Sequence, residues 1–328
     1  MAQVIPIEAG RHPERCHALT ANGKSCRNRA VENGFCRVHQ PPEPPEQIGP
    51  FDADRVRDLL AFLARRATGQ YDIDEFGFDP ELTEKVFAPP IRQLYRRYWR
   101  AEWVGLENIP SEGAALLVAN HAGTLPVDAV VMKFGVLNEH PAHRHVRLLA
   151  ADLAFRSPVV GPMARKMGNT LACNEDAFRL LDGGELVGVF PEGYKGVGKL
   201  YRDRYKLQRF GRGGFVGVAL KARVPIIPVS IVGSEEIFPM IHNAKTLARL
   251  FGFPYFPVTP TFPLLGPLGA IPLPSKWIIE FGQPIPTDGY ADDAWRDSML
   301  LFELTDQIRD TVQQTLYRNL VKRHSVFH

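Results

Sequence analysis

The stretch Ala114-Ala-Leu-Leu-Val-Ala119-Asn120-His121-Ala-Gly-Thr-Leu-Pro126-Val-Asp128 decides the fold. An apolar run, 114–119, ends in a polar pair, and a turn and a proline follow. A short uncharged run suits a strand covered on both faces, and proline suits a helix's first turn, where its missing N–H has no partner to lose. The pattern predicts a strand over 114–119 and a helix over 126–137, with His121 at the strand's carboxyl end and Asp128 in the helix's first turn. Open α/β sheets bind ligands at that edge, where loops are held by a rigid sheet yet reach solvent. A carboxylate bonded to one imidazole nitrogen leaves the other free to take a proton from a hydroxyl. His121 and Asp128 are therefore the candidate general base and its orienting group. The bland alternative is a histidine satisfied in a loop.

Working outward, helical and strand patterns alternate: strands over 146–151, 170–173 and 186–190, helices over 158–167 and 175–181, and further strands over 224–232 and 277–281. Alternation of this kind predicts an α/β fold with a mostly parallel central sheet flanked by helices. The chain closes in a helix with Leu300, Leu304, Ile308, Val312, Leu316 and Leu320 at every fourth place. The strand over 186–190 runs directly into Pro191-Glu192-Gly193-Tyr194-Lys195.

Four blocks carry a resemblance: Asn120-His121 with a downstream Asp, Phe190-Pro191-Glu192-Gly193, Phe210-Gly-Arg212-Gly-Gly-Phe215, and Val224-Pro225-Ile-Ile-Pro228-Val229. In order and spacing they resemble the glycerophosphate and lysophospholipid acyltransferase family over 120–285. The resemblance implies transfer of a fatty acyl group from acyl-CoA or acyl carrier protein to a lipid hydroxyl, with His121 as base and no catalytic metal. It implies that Glu192 and Gly193 help bind the acceptor, Glu192 through glycerol hydroxyls or by orienting a cation. It also implies that Arg212 or Lys195 pairs a phosphate, and that amides near Gly193 or Asn120 hold the oxyanion. Six residues separate His121 from Asp128, two more than the family's usual spacing. The stretch Gly168-Asn-Thr-Leu-Ala-Cys173-Asn174 lacks the family's arginine, which opens the way to an acceptor without phosphate, such as a diacylglycerol. The rival readings are a non-catalytic lipid-binding or scaffold protein on the same fold, and a nucleic-acid binder using an N-terminal zinc module.

At 328 residues, 45% hydrophobic and 23% charged, the chain can bury one large core and carry small additions. A net charge of +3 is too mild to name a nucleic-acid partner. No uninterrupted apolar stretch is long enough to cross a bilayer, and residues 1–15 have no signal-peptide core, so the expected location is cytoplasmic, peripherally bound to the membrane. Four cysteines, three of them within the first forty residues, do not make a disulfide framework.

Those three, Cys16, Cys26 and Cys36, join His39 as the donor set of a closed tetrahedral zinc site, and a segment this short cannot fold on its own core. Residues 1–40 are thus expected to be a structural zinc module resembling plant WRC-type modules. Arg11, Arg15, Lys24, Arg27, Arg29 and Arg37 are available there for phosphate contacts, or the module is a small docking knob. A proline-rich linker, 41–50, follows, then a helical, membrane-interface segment over 51–105 and the acyltransferase domain over 106–328. Within 51–105, apolar spacing predicts a helix over 54–67. Over 91–103, Ile91, Leu94, Tyr95, Tyr98, Trp99 and Trp103 share one helical face and Arg92, Arg96, Arg97 and Arg100 the other. That suits a bilayer interface, or a stripe packed on the main domain. Asp72-Ile-Asp74-Glu-Phe76 imitates a calcium loop but is two ligands short.

Lys195, Lys199, Arg202, Arg204, Lys206, Arg209 and Arg212 crowd into eighteen residues with one acid, Asp203. Gly193 to Lys199 matches a phosphate-loop spacing, yet Leu200 stands where the magnesium-binding hydroxyl belongs. The cations suit the phosphates of a lipid headgroup or of coenzyme A. Residues 251–274 are nearly uncharged and rich in proline, which forbids a long helix. They form apolar loops that cover an acyl-chain tunnel, dip into a bilayer or pack on the core.

Overall fold

The computed structural model describes residues 53–327. The chain divides into two compact units, Met1–Gln70 and Tyr71–His328. In the first, helix α1 (Ala53–Thr68) occupies the expected span, and its Val56, Leu59, Leu60 and Leu63 are exposed. Cys16, Cys26, Cys36, His39 and the linker lie outside the described residues.

The second unit opens with α2 (Pro80–Leu82), a π-helical turn (Thr83–Phe87), α3 (Ala88–Gln93) and a second π-turn (Leu94–Tyr98), leading to strand β1 (Glu102–Val104). There follow β2 (Ala115–Ala119), α4 (Val127–Glu139), β3 (Val146–Ala150), α5 (Asp152–Arg156), α6 (Val160–Lys166), β4 (Thr170–Leu171) and α7 (Asn174–Asp182). Next come β5 (Leu186–Val189), α8 (Tyr194–Val197), α9 (Gly214–Ala222), β6 (Ile226–Val232), β7 (His242–Asn243), α10 (Lys245–Phe251), β8 (Pro257–Val258), β9 (Ile278–Phe281) and α11 (Ser298–Lys322). Seven strands form one sheet in the order β1-β9-β6-β2-β5-β3-β4, and β7 and β8 form a separate antiparallel pair. The sheet is parallel except where β9 meets β6, so β9 and β1 run against the other five.

Strand β2 is fully buried at the centre. Successive side chains point to opposite faces of a strand, and here each face meets its own apolar layer. Ala115, Leu117 and Ala119 join Met132 and Val136 of α4 with Trp99 and Trp277. Leu116 and Val118 join Leu180 of α7, Ala219 of α9, and Ile308 and Val312 of α11. With helices on both faces, no position on β2 can be polar, which is why it reads as a continuous apolar run.

Of the two readings of the aromatic stripe over 91–103, the structure shows the packed one: its rings are part of the core. Tyr95 and Trp99 have no exposure, Trp99 stacks on Trp277 with centroids 4.9 Å apart, and Tyr95 meets Trp103 edge-on at 5.3 Å. The Trp103 ring lies so close over α4 that a Cβ on Gly135 would fall 1.8 Å from it. Burying these rings completes the layer over one sheet face, and that gain outweighs any surface role. At the calcium-loop look-alike, Asp74 Oδ1 accepts the amides of Phe76 and Phe78 at 2.9 and 2.8 Å while Oδ2 lies 2.6 Å from buried Arg147. The acid closes a turn and meets a buried cation.

Candidate active site

The carboxyl ends of β2 and β5 are adjacent, and each opens into a loop that carries titratable groups. Asn120 comes first. Its Nδ2 donates to the Ile231 carbonyl at 3.0 Å and its Oδ1 accepts the Ile231 amide at 2.7 Å, so the side chain extends the β2–β6 ladder. It is fully buried. The expected substrate contact by Asn120 is therefore not made by its side chain, whose polar atoms both serve the backbone.

The loop then folds back on itself. Gly123 and Thr124 have φ of 94° and 67°, the left-handed region that glycine enters freely and threonine rarely. A Cβ at Gly123 would lie 2.5 Å from the Ser234 carbonyl oxygen, and Thr124 Oγ1 donates to the Phe238 carbonyl at 2.9 Å. This bulge absorbs the two additional residues, and α4 starts with Asp128 in its first turn. Asp128 Oδ2 lies 2.9 Å from His121 Nδ1 and accepts the Ala122 amide at 2.8 Å, while Oδ1 accepts the Ala129 amide at 2.8 Å. The helix N-terminus favours the negative charge. An acceptor already holding two amides fixes the ring proton on Nδ1, leaving the lone pair on Nε2. Nε2 bonds to no described residue. The ring lies 4.6 Å from Phe190, and the His121 side chain keeps 13% exposure while Asp128 has none.

Glu192 supports this arrangement from behind. Its Oε1 accepts the His121 amide at 2.9 Å, and its Oε2 accepts the Gln208 amide at 2.7 Å and lies 3.5 Å from Lys199 Nζ. Lys199 is almost fully buried, with its Nζ also 3.1 Å from Glu235 Oε1, which accepts the Tyr205 amide at 2.8 Å. Burial pushes the Glu235 carboxyl up to about 7 against the pull of Lys199. Beyond it, Tyr205 Oη donates to Glu236 Oε2 at 2.5 Å, and Arg323 grips Glu236 at 2.7 and 3.0 Å. Burial, then the Glu236 charge, hold the Tyr205 phenol well above its ordinary range.

Several expected roles change accordingly. Glu192 faces two backbone amides and Lys199, with its side chain fully buried. The Gly193 amide donates to the Phe190 carbonyl at 3.0 Å, closing a turn at φ 52°, and is not free for an oxyanion. Lys199, the lysine of the phosphate-loop look-alike, is sealed between two carboxylates. Lys195, in the first turn of α8, and Arg212, before α9, are exposed and pair with no other described side chain. Among the described residues no group of three or more His, Cys, Asp or Glu side chains is placed to hold a metal ion.

Sequence reasoning missed Glu235 and Tyr255. The acidic pair Glu235-Glu236 directly after β6, at the same sheet edge, was a usable signal. Tyr255 gave none, because it lies in a uniformly apolar stretch, yet its Oη donates to the Thr124 carbonyl. Burial and then the Asp128 charge push its phenol up to about 12.

Residues 100–232 match the family model described as Acyltransferase, and residues 14–44 match one described as a domain of unknown function, DUF5763. An uncharacterized protein of Mycobacterium tuberculosis is 58% identical over 275 residues, covering 84% of this chain and 77% of that one. The "DGAT1/2-independent enzyme synthesizing storage lipids" of Gallus gallus is 30% identical over 194 residues, 58% of this chain and 54% of that one. Among solved structures, the 1-acyl-sn-glycerophosphate acyltransferase PlsC of Thermotoga maritima is similar with a TM-score of 0.45 and 20% identity, over 73% of this chain and 83% of that one. The chain carries an acyltransferase domain over residues 100–232 and is an acyltransferase enzyme. The match over 14–44 spans the four expected zinc ligands and names no metal.

Proposed function

We propose that the protein transfers a fatty acyl group from acyl-CoA or acyl carrier protein to a hydroxyl of a glycerolipid or lysophospholipid, with His121 as general base. Nε2 takes the hydroxyl proton as the oxygen adds to the thioester carbonyl, and Asp128 holds the ring and balances the imidazolium. Collapse of the tetrahedral adduct breaks the carbon–sulfur bond, and the imidazolium returns the proton to the departing thiolate. The observation that carries the reading is the 2.9 Å contact between Nδ1 and buried Asp128, with Nε2 left unbonded.

A relative that synthesizes storage lipids and the missing arginine over 168–174 both favour an acceptor without phosphate, a diacylglycerol before a lysophosphatidate. Lys195 and Arg212 are exposed cations available for the phosphates of coenzyme A or of an acceptor. The reaction is assigned to the cytoplasmic side of a membrane, and Cys16, Cys26, Cys36 and His39 to a structural zinc whose content metal analysis of the purified chain would measure.

The test is thiol release from oleoyl-CoA with dioleoylglycerol or lysophosphatidate as acceptor. Acceptor-dependent release that disappears in His121→Ala is expected. A variant that keeps turnover, or a protein that binds the lipid and never releases thiol, overturns the reading.

A further inference from the structure

Between β6 and β9 the chain makes one long excursion. After Glu236 it carries no Asp or Glu until Glu280, whereas Lys245, Arg249 and Lys276 fall within it. Its apolar side chains stand out from the surface: Leu250 is 75% exposed, Leu264 84% and Leu268 65%, with Phe251, Phe253 and Ile271 at least half exposed. The segment is nevertheless closely bonded. β7 pairs with β8, the Phe253 amide donates to Ala248, the Leu265 amide to Thr261, and Thr261 Oγ1 to Gly269. The Phe251 ring packs on Phe256, and Phe256 on Phe262, at 5.9 and 5.8 Å. Large side chains therefore project from a rigid base and cannot fold back to hide themselves. No helix among the described residues is long and apolar enough to cross a membrane.

We propose that residues 237–279 are the surface by which the protein docks on a bilayer containing anionic lipid. Charge decides the occupant: Lys276 is paired with Glu102 at 2.7 Å, but the apolar tips stand beside Lys245 and Arg249 in a segment with no acid of its own, which complements an acyl layer under negative headgroups. The same excursion reaches the catalytic loop, since Tyr255 Oη donates to the Thr124 carbonyl and its ring lies against Gly198 beyond α8. Docking thus sets the lipid phase beside the loop that carries His121. The inference deepens the acyl-transfer reading by naming where its lipid enters, and the two can fail separately.

The test is flotation of the full-length protein with phosphatidylcholine vesicles, with or without phosphatidylglycerol, beside thiol release with detergent-dispersed acceptor. Leu264→Glu with Leu268→Glu is expected to lower partitioning about tenfold or more on both vesicles. Lys245→Glu with Arg249→Glu is expected to lower it about tenfold on the anionic vesicles alone. Thermal melting should not move in either variant. Flotation that survives the double leucine substitution overturns the proposal, as does sedimentation of a dimer that the same substitutions dissolve. Thiol release without flotation also overturns it and leaves acyl transfer standing. Flotation without any release upholds docking and removes the transfer reading.

Discussion

His121 with Asp128 follows β2, and Glu192 with Lys199 follows β5, the neighbouring strand. Both loops bring a carboxylate to a basic nitrogen at the same sheet edge. In the first pair the carboxylate holds Nδ1 and two amides, while the far nitrogen of the imidazole has no partner among the described residues. In the second, both Glu192 oxygens hold amides, and Lys199 lies between Glu192 and Glu235 with 4% of its side chain exposed. One grouping ends in an unused lone pair and the other closes on itself. A charged residue beside a catalytic loop is available for chemistry only if its partners leave one end open. Full satisfaction makes it a fastening.

The contrast can be broken most directly at the open pair. His121→Ala should lower kcat about a thousandfold or more, near the upper range for removal of a general base, with the melting temperature unchanged. Surviving turnover in a thiol-release assay would move the base elsewhere.

At the closed pair the effect should appear in stability. Glu192→Ala leaves Lys199 with a single buried counter-charge and two amides without acceptors. A loss of about 3–5 kcal/mol is expected for breaking a buried charge pair, read by urea unfolding. A loss below about 1 kcal/mol would mean that water replaces Glu192.

Asp128→Asn tests the orienting half of the open pair. An amide can offer its N–H to Nδ1 and favour the wrong tautomer, so kcat should fall on the order of a hundredfold, with KM nearly unchanged. A raised KM with kcat unchanged would instead assign Asp128 to substrate binding.

The smallest effect is a slope. Burial raises the Glu235 carboxyl from 4.5 to about 7, so between those values the folded protein holds more protons than the unfolded chain. Stability then falls as pH rises through that window. Glu235→Gln removes this contribution, so its melting temperature should fall less from pH 5 to pH 8 than the parent's. Parallel curves would mean that Lys199 keeps Glu235 ionised throughout.

The α/β architecture was readable because buried strands and amphipathic helices leave short-range patterns, and strand β2, helix α4 and strand β5 lie close to their expected spans. The reversal of β9 and β1 left no such trace, since strand direction depends on how a long connection returns. Two stretches that could each meet a bilayer or pack on the core parted company. The rings over 91–103 close the core, while Leu250, Leu264 and Leu268 stay exposed. Both had apolar residues beside cations, and composition alone cannot say which surface is already covered.

The local code of this chain determined the order of strands and helices and the turn between a histidine and an aspartate at a strand end, because propensity and periodicity act over a few residues. Only the tertiary structure decided that Gly123 and Thr124 bulge to bring Asp128 onto His121, and that Glu192 serves Gln208, Lys199 and the His121 backbone. Those outcomes follow from burial, and the free energy of a buried charge depends on partners supplied by distant parts of the chain.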